Sequence, residues 1–126
     1  LHAGDIGLPW VVLELENLAP VTAVLGNTDV GLSFKETEMV ELTTKKFLVH
    51  HIVNPHAPED NLRKRIHRER PGVVVFGHTH KRFSDTINGV FYFNPGYAGK
   101  SRFGMERSVA ILHCDAREIR PEFFPL

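Results

Sequence analysis

The chain carries four consecutive apolar residues, Val73-Val74-Val75-Phe76, that run straight into Gly77-His78-Thr79-His80 and then the charged pair Lys81-Arg82. No other stretch constrains the fold as strongly. The apolar run reads as a strand, and glycine lets the backbone turn sharply as it leaves that strand. Two imidazoles at i and i+2 then diverge from one loop toward one or two cations. Neutral imidazole is the commonest protein ligand for a transition metal.

The same pattern of apolar run followed by ligand-bearing turn recurs along the chain. Leu1 to Ala3 reads as a strand end running into Gly4-Asp5, and the chain reads as beginning in mid-fold. Pro9 suits the first turn of a helix, since its missing N–H is not needed there. Trp10, Leu13, Leu15 and Leu18 continue a partly helical spacing through Asn17. Val21 to Leu25 reads as a buried parallel strand closed by Gly26-Asn27. Met39–Leu42 and Lys46–Val49 are strand candidates joined by a hairpin at Thr43-Thr44-Lys45. Glu59 to Arg70 is the clearest helix, with acidic residues first and basic residues last, as the helix dipole favours. Asn88-Gly89 marks a hairpin between Phe83–Ile87 and Val90–Phe93. Asn94 to Glu106 reads as loop, and Arg107–His113 with Glu118–Phe124 as a final strand pair. Strands with interposed helices followed by antiparallel hairpins predict a single layered α/β domain.

Composition narrows the function. Fifteen basic and fifteen acidic residues cancel, so the chain as a whole has no electrostatic case for nucleic acid or an anionic membrane. No apolar run reaches the roughly 20 residues a membrane-spanning helix needs. The single cysteine, Cys114, excludes an internal disulfide and fits a reducing, cytoplasmic setting. It reads as a small buried hydrophobe rather than a nucleophile. Eight histidines in 126 residues are unusual. Of these, His2, His67 and His113 read as ordinary strand or helix-surface residues. The basic run Arg63-Lys64-Arg65 reads as a solvated helix face.

Four strand ends carry metal-type ligands: Gly4-Asp5, Gly26-Asn27, His50 and Gly77-His78-Thr79-His80. Such ligands converge at the carboxyl edge of a sheet, where α/β folds bind their ligands. One carboxylate, one amide oxygen and three imidazoles, with no thiolate, suit Mn, Fe, Zn, Co or Ni. His51, next to His50, competes for the same role.

This order of motifs resembles the calcineurin-like metallophosphoesterases, and most closely their small YfcE-like phosphodiesterase branch. Gly4-Asp5, Gly26-Asn27-Thr28-Asp29, Gly77-His78-Thr79-His80 and Asn94-Pro95-Gly96 follow the family's order across nearly the whole chain. The resemblance implies a four-layer α-β-β-α sandwich of two mixed sheets, here without its first strand and helix. It also implies two divalent metal ions, Mn foremost with Ni, Fe, Co or Zn as alternatives. Asp5 would bridge both metals. Asn27, His50 and His78 would bind the second, and His80 the first. Asp5, Asn27 and His78 would be central to catalysis, with a metal-bridging hydroxide attacking a phosphodiester directly. Asp29, Thr28 and His51 would support the ligands. The family's Asp-x-His motif, which completes the first metal's ligands, is expected upstream of Leu1, and a chain lacking that central strand is expected to be poorly stable alone.

Thr28 departs from the family pattern, which places histidine or cysteine there. Threonine does not donate a proton readily near neutral pH, so modest activity on good leaving groups is expected, with His51 and His56 as substitute acids. The expected partner is a small phosphoester, and self-association stays open. The rival reading is a binding or scaffold protein on the same fold.

Overall fold

In the computed structural model, which describes residues 1–126, nine elements follow in the order α1 (Pro9–Glu16), β1 (Thr37–Leu42), β2 (Lys45–His50), α2 (Asp60–Glu69), β3 (Val73–Val75), β4 (Arg82–Ile87), β5 (Val90–Pro95), β6 (Ser108–Cys114) and β7 (Ile119–Pro125). The apolar run becomes β3, the middle strand of a five-stranded sheet ordered β1-β2-β3-β5-β4. All three residues of β3 are buried, as an unbroken apolar strand with both faces covered must be. It pairs in parallel with β2 on one side and β5 on the other, while hairpins close the two edges of the sheet.

Residues alternate between the two faces of this sheet, so two cores form. Phe47, Val49, Val73 and Val75 share one face with Val24, and against them pack Ala3, Leu112, Cys114 and Ile119. This is the side of the second sheet, the antiparallel pair β6–β7. Leu48, Val74, Phe76 and Tyr92 share the opposite face with Leu62, and Ile66 packs beside them, so α2 covers that side. Mixed sheet, smaller second sheet and outer helix are the expected layers, with the second sheet reduced to one antiparallel hairpin.

Helix α2 matches its sequence signals closely. Glu59 caps it by accepting from the amides of Asn61 and Leu62, and Arg70 ends it in the left-handed region at φ 51° just before Pro71-Gly72. The Asn88-Gly89 turn has positive φ at both residues, which this hairpin type requires. The first hairpin turns tighter than expected, on Thr43-Thr44 alone, and Lys45 already belongs to β2.

Two expectations need correction. Val21 to Leu25 does not form a strand; its pairing is confined to single parallel bridges, His2 to Ala23 and Val24 to Lys35. Helix α1 starts at Pro9 as expected, but Trp10, Leu13 and Leu15 face outward. Val12 is its buried residue, packed with Ile6 and Ala23. The helix is apolar on nearly every side, so spacing alone cannot select its inner face. No helix is long and apolar enough to cross a membrane.

Candidate metal centre

Parallel pairing of β2 with β3 brings the carboxyl end of β2 beside the loop after β3. Two loops on the second-sheet side, Gly4–Gly7 and Gly26–Asp29, reach the same corner. Close packing there depends on glycine. A Cβ on Gly26 would stand 2.1 Å from the Asp5 carboxylate and 2.2 Å from its backbone N, and one on Gly4, at φ 101°, would stand 2.6 Å from His51 Nδ1. Strain gathers at the same place. Of seven non-glycine residues with positive φ, three are Asp5, His78 and His80. Such conformations persist where surrounding structure enforces them, and they concentrate at functional sites.

His51 is the pivot. It is only 5% exposed. Its Nδ1 lies 2.6 Å from the carbonyl oxygen of Ala3. A carbonyl can only accept, so Nδ1 carries a proton, and whenever the ring holds just that one proton Nε2 is a bare lone pair. That lone pair faces Asn27 Oδ1 at 2.9 Å and Asp5 Oδ2 at 3.2 Å. Asn27 Oδ1 also lies 3.0 Å from His78 Nδ1, and the His51 and His78 rings meet edge to face with centroids 5.2 Å apart. A bare nitrogen and two oxygens turned on one another repel unless a cation lies among them. A proton on His51 satisfies them, and so does a divalent metal. A histidine fixed by Nδ1–H to a backbone carbonyl is also the usual arrangement of a metal ligand. The donor set therefore fits a metal ion. No three imidazole, carboxylate or thiol groups converge enough to hold one by themselves; the amide oxygen of Asn27 is the member that links them.

The structure thus brings together Asp5, Asn27, His78 and His51. It does not bring His50 to them. His50 turns its ring to the other side, where Nδ1 lies 2.8 Å from Thr37 Oγ1 of the neighbouring strand. The reason is the period of two along a strand. His50 has the parity of Leu48 and faces α2, whereas His51 has the parity of Phe47 and Val49 and faces the second sheet, from which Asp5 and Asn27 come. The structure therefore sets His51, expected as a support, and not His50 beside Asp5 and Asn27. His80 stands off from the cluster with its ring stacked on Tyr97 at 4.7 Å. Burial pulls its pKa down, and the nearby Arg102 cation adds to the effect. His56 packs edge-on against Phe83 and makes no hydrogen bond to the cluster.

Asp29 and Thr28 brace the ligands. Asp29 accepts from the amides of Gly26, Gly7 and Ile6 at 2.8, 2.9 and 3.0 Å, tying the loop of Asp5 to the loop of Asn27. Burial pushes its pKa up, but the amides of Gly7, Gly26, Ile6 and Asp5 together outweigh this and hold it below the ordinary value. The amide of Thr28 donates to Asp5 Oδ1 at 3.0 Å. Burial likewise raises the Asp5 pKa, yet the Thr28 hydrogen bonds, and the His51 ring whenever it is protonated, leave it lowered. A carboxylate with a lowered native pKa stabilises the fold above its ordinary value of 3.8, and that contribution disappears as pH falls through the native value. We expect acid-induced loss of stability below about pH 5, part of which Asp29→Asn removes, measured as urea midpoints of both chains across pH.

Sequence reasoning missed Tyr97 as part of this corner and placed Asn94 there only as part of the Asn94-Pro95-Gly96 motif, with no contact of its own. Asn94, fully buried, hydrogen-bonds the histidine loop. Its sequence signals are the Asn94-Pro95-Gly96 motif and its position at the end of β5, a strand that lies beside β3.

A mixed sheet with a smaller sheet on one face and ligand-type residues at its strand ends defines the metallophosphoesterase fold. A structure of Vps29 from Entamoeba histolytica complexed with zinc matches it with a TM-score of 0.73 at 20% identity, covering 98% of this chain and 79% of that one. Residues 1–117 match the calcineurin-like phosphoesterase superfamily domain, and the chain belongs to that superfamily. A probable metallophosphoesterase of Methanothermobacter thermautotrophicus is 32% identical over 97% of this chain and 72% of its own length. A phosphodiesterase of Methanocaldococcus jannaschii is 28% identical over 95% of this chain and 78% of its own.

Proposed function

We propose that the chain is a metal-dependent phosphodiesterase. The observation that carries this reading is Nε2 of His51 facing the oxygens of Asp5 and Asn27, with His78 on the far side of that amide oxygen. Membership of a phosphoesterase superfamily supports hydrolysis of phosphoesters, and the name of the Methanocaldococcus jannaschii relative supports diesters among them. Asp5, Asn27, His51 and His78 would hold a divalent ion, and His80 with Asp5 would serve a second. Oxygen and nitrogen ligands without thiolate favour Mn, with Ni, Fe, Co or Zn as alternatives. Such ions would supply an acidified water and neutralise charge on a phosphoryl group.

The protein's own groups have separate tasks. The Thr28 amide holds the Asp5 carboxylate in one orientation. Asp29 keeps the two ligand loops in register through three amides. The Ala3 carbonyl fixes the His51 tautomer. Thr28 is exposed and has no acidic proton for a departing alkoxide. This favours substrates whose leaving group needs no protonation, such as aryl phosphodiesters.

The test is hydrolysis of bis-p-nitrophenyl phosphate with Mn²⁺. The reading expects turnover that depends on metal and is lost in His78→Ala. No turnover with any of the five metals would sink it. The same threonine favours a second reading, a binding protein on this fold that has no hydrolytic step.

A further inference from the structure

The backbone at His78 is bent in the costly direction. Thr79 N–H donates to the carbonyl of Gly77 at 2.8 Å, closing a three-residue turn with His78 at its centre at φ 68°. This is the left-handed form of the γ-turn, rare and strained for a residue with a side chain. His80 follows at φ 62°. A loop that holds two imidazoles in such conformations needs an external constraint, or it relaxes and carries the rings with it.

The constraint is visible in one buried side chain. Asn94 is 0% exposed, although it is polar. Its Nδ2 donates to the Gly77 carbonyl at 3.0 Å and to Thr79 Oγ1 at 3.1 Å, the two residues that flank His78. Its Oδ1 accepts from Gly96 N at 2.9 Å, which fixes the orientation of the amide. Asn94 is itself anchored, because the register of β3 with β5 sets Val75 beside Phe93 and Phe76 N–H donates to the Phe93 carbonyl. One rigid amide thus clamps both ends of the strained turn to the sheet.

We propose that Asn94, through Thr79, is a positioning residue of the metal centre: it holds the turn at His78 in the shape that aims this histidine at Asn27. The inference rests on the reading of the cluster as a metal site, though not on hydrolysis. Asn94 touches neither metal nor substrate in this account. It acts by removing loop conformations in which His78 is withdrawn, so it strengthens metal binding by preorganisation.

Mn²⁺ binding to the full chain, measured by calorimetry with the urea midpoint recorded in parallel, tests the idea. Asn94→Asp keeps the side chain's size but, in the ionised form, leaves no donor for Gly77 or Thr79. Thr79→Val removes the hydroxyl that accepts from Asn94 Nδ2 and from Lys81 N–H on an exposed residue, and Thr79→Ser keeps it. We expect Asn94→Asp to weaken Mn²⁺ binding by about 10-fold or more, within the range for residues that orient ligands. Thr79→Val should weaken it by a smaller factor, with a smaller fall in the urea midpoint than Asn94→Asp gives, and Thr79→Ser should restore it. A purely structural role for Asn94 would lower the midpoint and leave Mn²⁺ affinity alone. Thr79→Val and Asn94→Asp chains that bind Mn²⁺ as tightly as the unchanged chain would overturn the inference. So would an unchanged chain that takes up no Mn²⁺. A chain that binds Mn²⁺ in the expected order of variants yet hydrolyses no diester would remove the proposed activity and leave the positioning role standing.

Discussion

His51→Ala is expected to abolish Mn²⁺ uptake and diester hydrolysis, whereas His50→Ala leaves both close to the unchanged chain. The two residues are adjacent, equally histidine and equally placed at a strand end, so the contrast isolates geometry. His51 loses a ring whose two nitrogens are both engaged, one with the Ala3 carbonyl and one facing Asp5 and Asn27. Its removal also leaves the Asp5 carboxylate without its ring partner. The expected loss is more than about 100-fold, beyond the roughly 10–100-fold that an outer partner of a ligand is worth. His50 loses a bond to Thr37 Oγ1 on the far face of the sheet, a hydrogen bond worth about 1 kcal/mol. Calorimetry with Mn²⁺ and initial rates on bis-p-nitrophenyl phosphate check both chains.

Gly26→Ala is expected to cost the most stability of any single methyl group added to this corner. The new Cβ would meet the backbone N of Asp5 at 2.2 Å, and a backbone atom cannot swing aside as a flexible side chain can. Either the Gly26–Asp29 loop or the Gly4–Gly7 loop must move, and two Asp29 hydrogen bonds, from Ile6 and Gly7, join them. Overpacking of this kind costs about 3 kcal/mol at the upper end of its usual range. The urea midpoint should fall accordingly, and Mn²⁺ affinity should fall with it. Gly7→Ala is the control, because nothing stands within 4 Å of its added Cβ, although its φ of 85° adds local strain.

The contrast between His50 and His51 shows where the sequence stops being readable. Strand β3, helix α2 and the Asn88-Gly89 hairpin were legible because their determinants are local: an unbroken apolar run, a cap with ordered charge, a turn that needs positive φ. The strand-end positions of Asp5, Asn27 and His78, which the structure brings together, were legible for the same reason. Which of two neighbouring histidines joins them was not. The alternation of Phe47, Leu48 and Val49 assigns His50 and His51 to opposite faces. Only the packing of Ala3 and Val24 against the Phe47 and Val49 face tells which face holds the site. That packing joins residues far apart in sequence. Helix α1 failed for a related reason, since an apolar surface on nearly every side leaves the inward face to tertiary contacts. Val21 to Leu25 is apolar enough for a strand, yet it bridges its neighbours at single residues. Asn94 and Tyr97 enter the site only through contacts made across strands and loops, the first to the Gly77–Thr79 turn and the second to the His80 ring.

The central claim is that Asp5, Asn27, His51 and His78 form one cation site and that His50 has no part in it. Titration of the chain with Mn²⁺, followed by paramagnetic broadening of assigned histidine ring resonances, tests this most directly. The account predicts that the His51 and His78 rings broaden first and together, with the His50 ring broadening last among the three. Early broadening of His50 with His51 left sharp would contradict it.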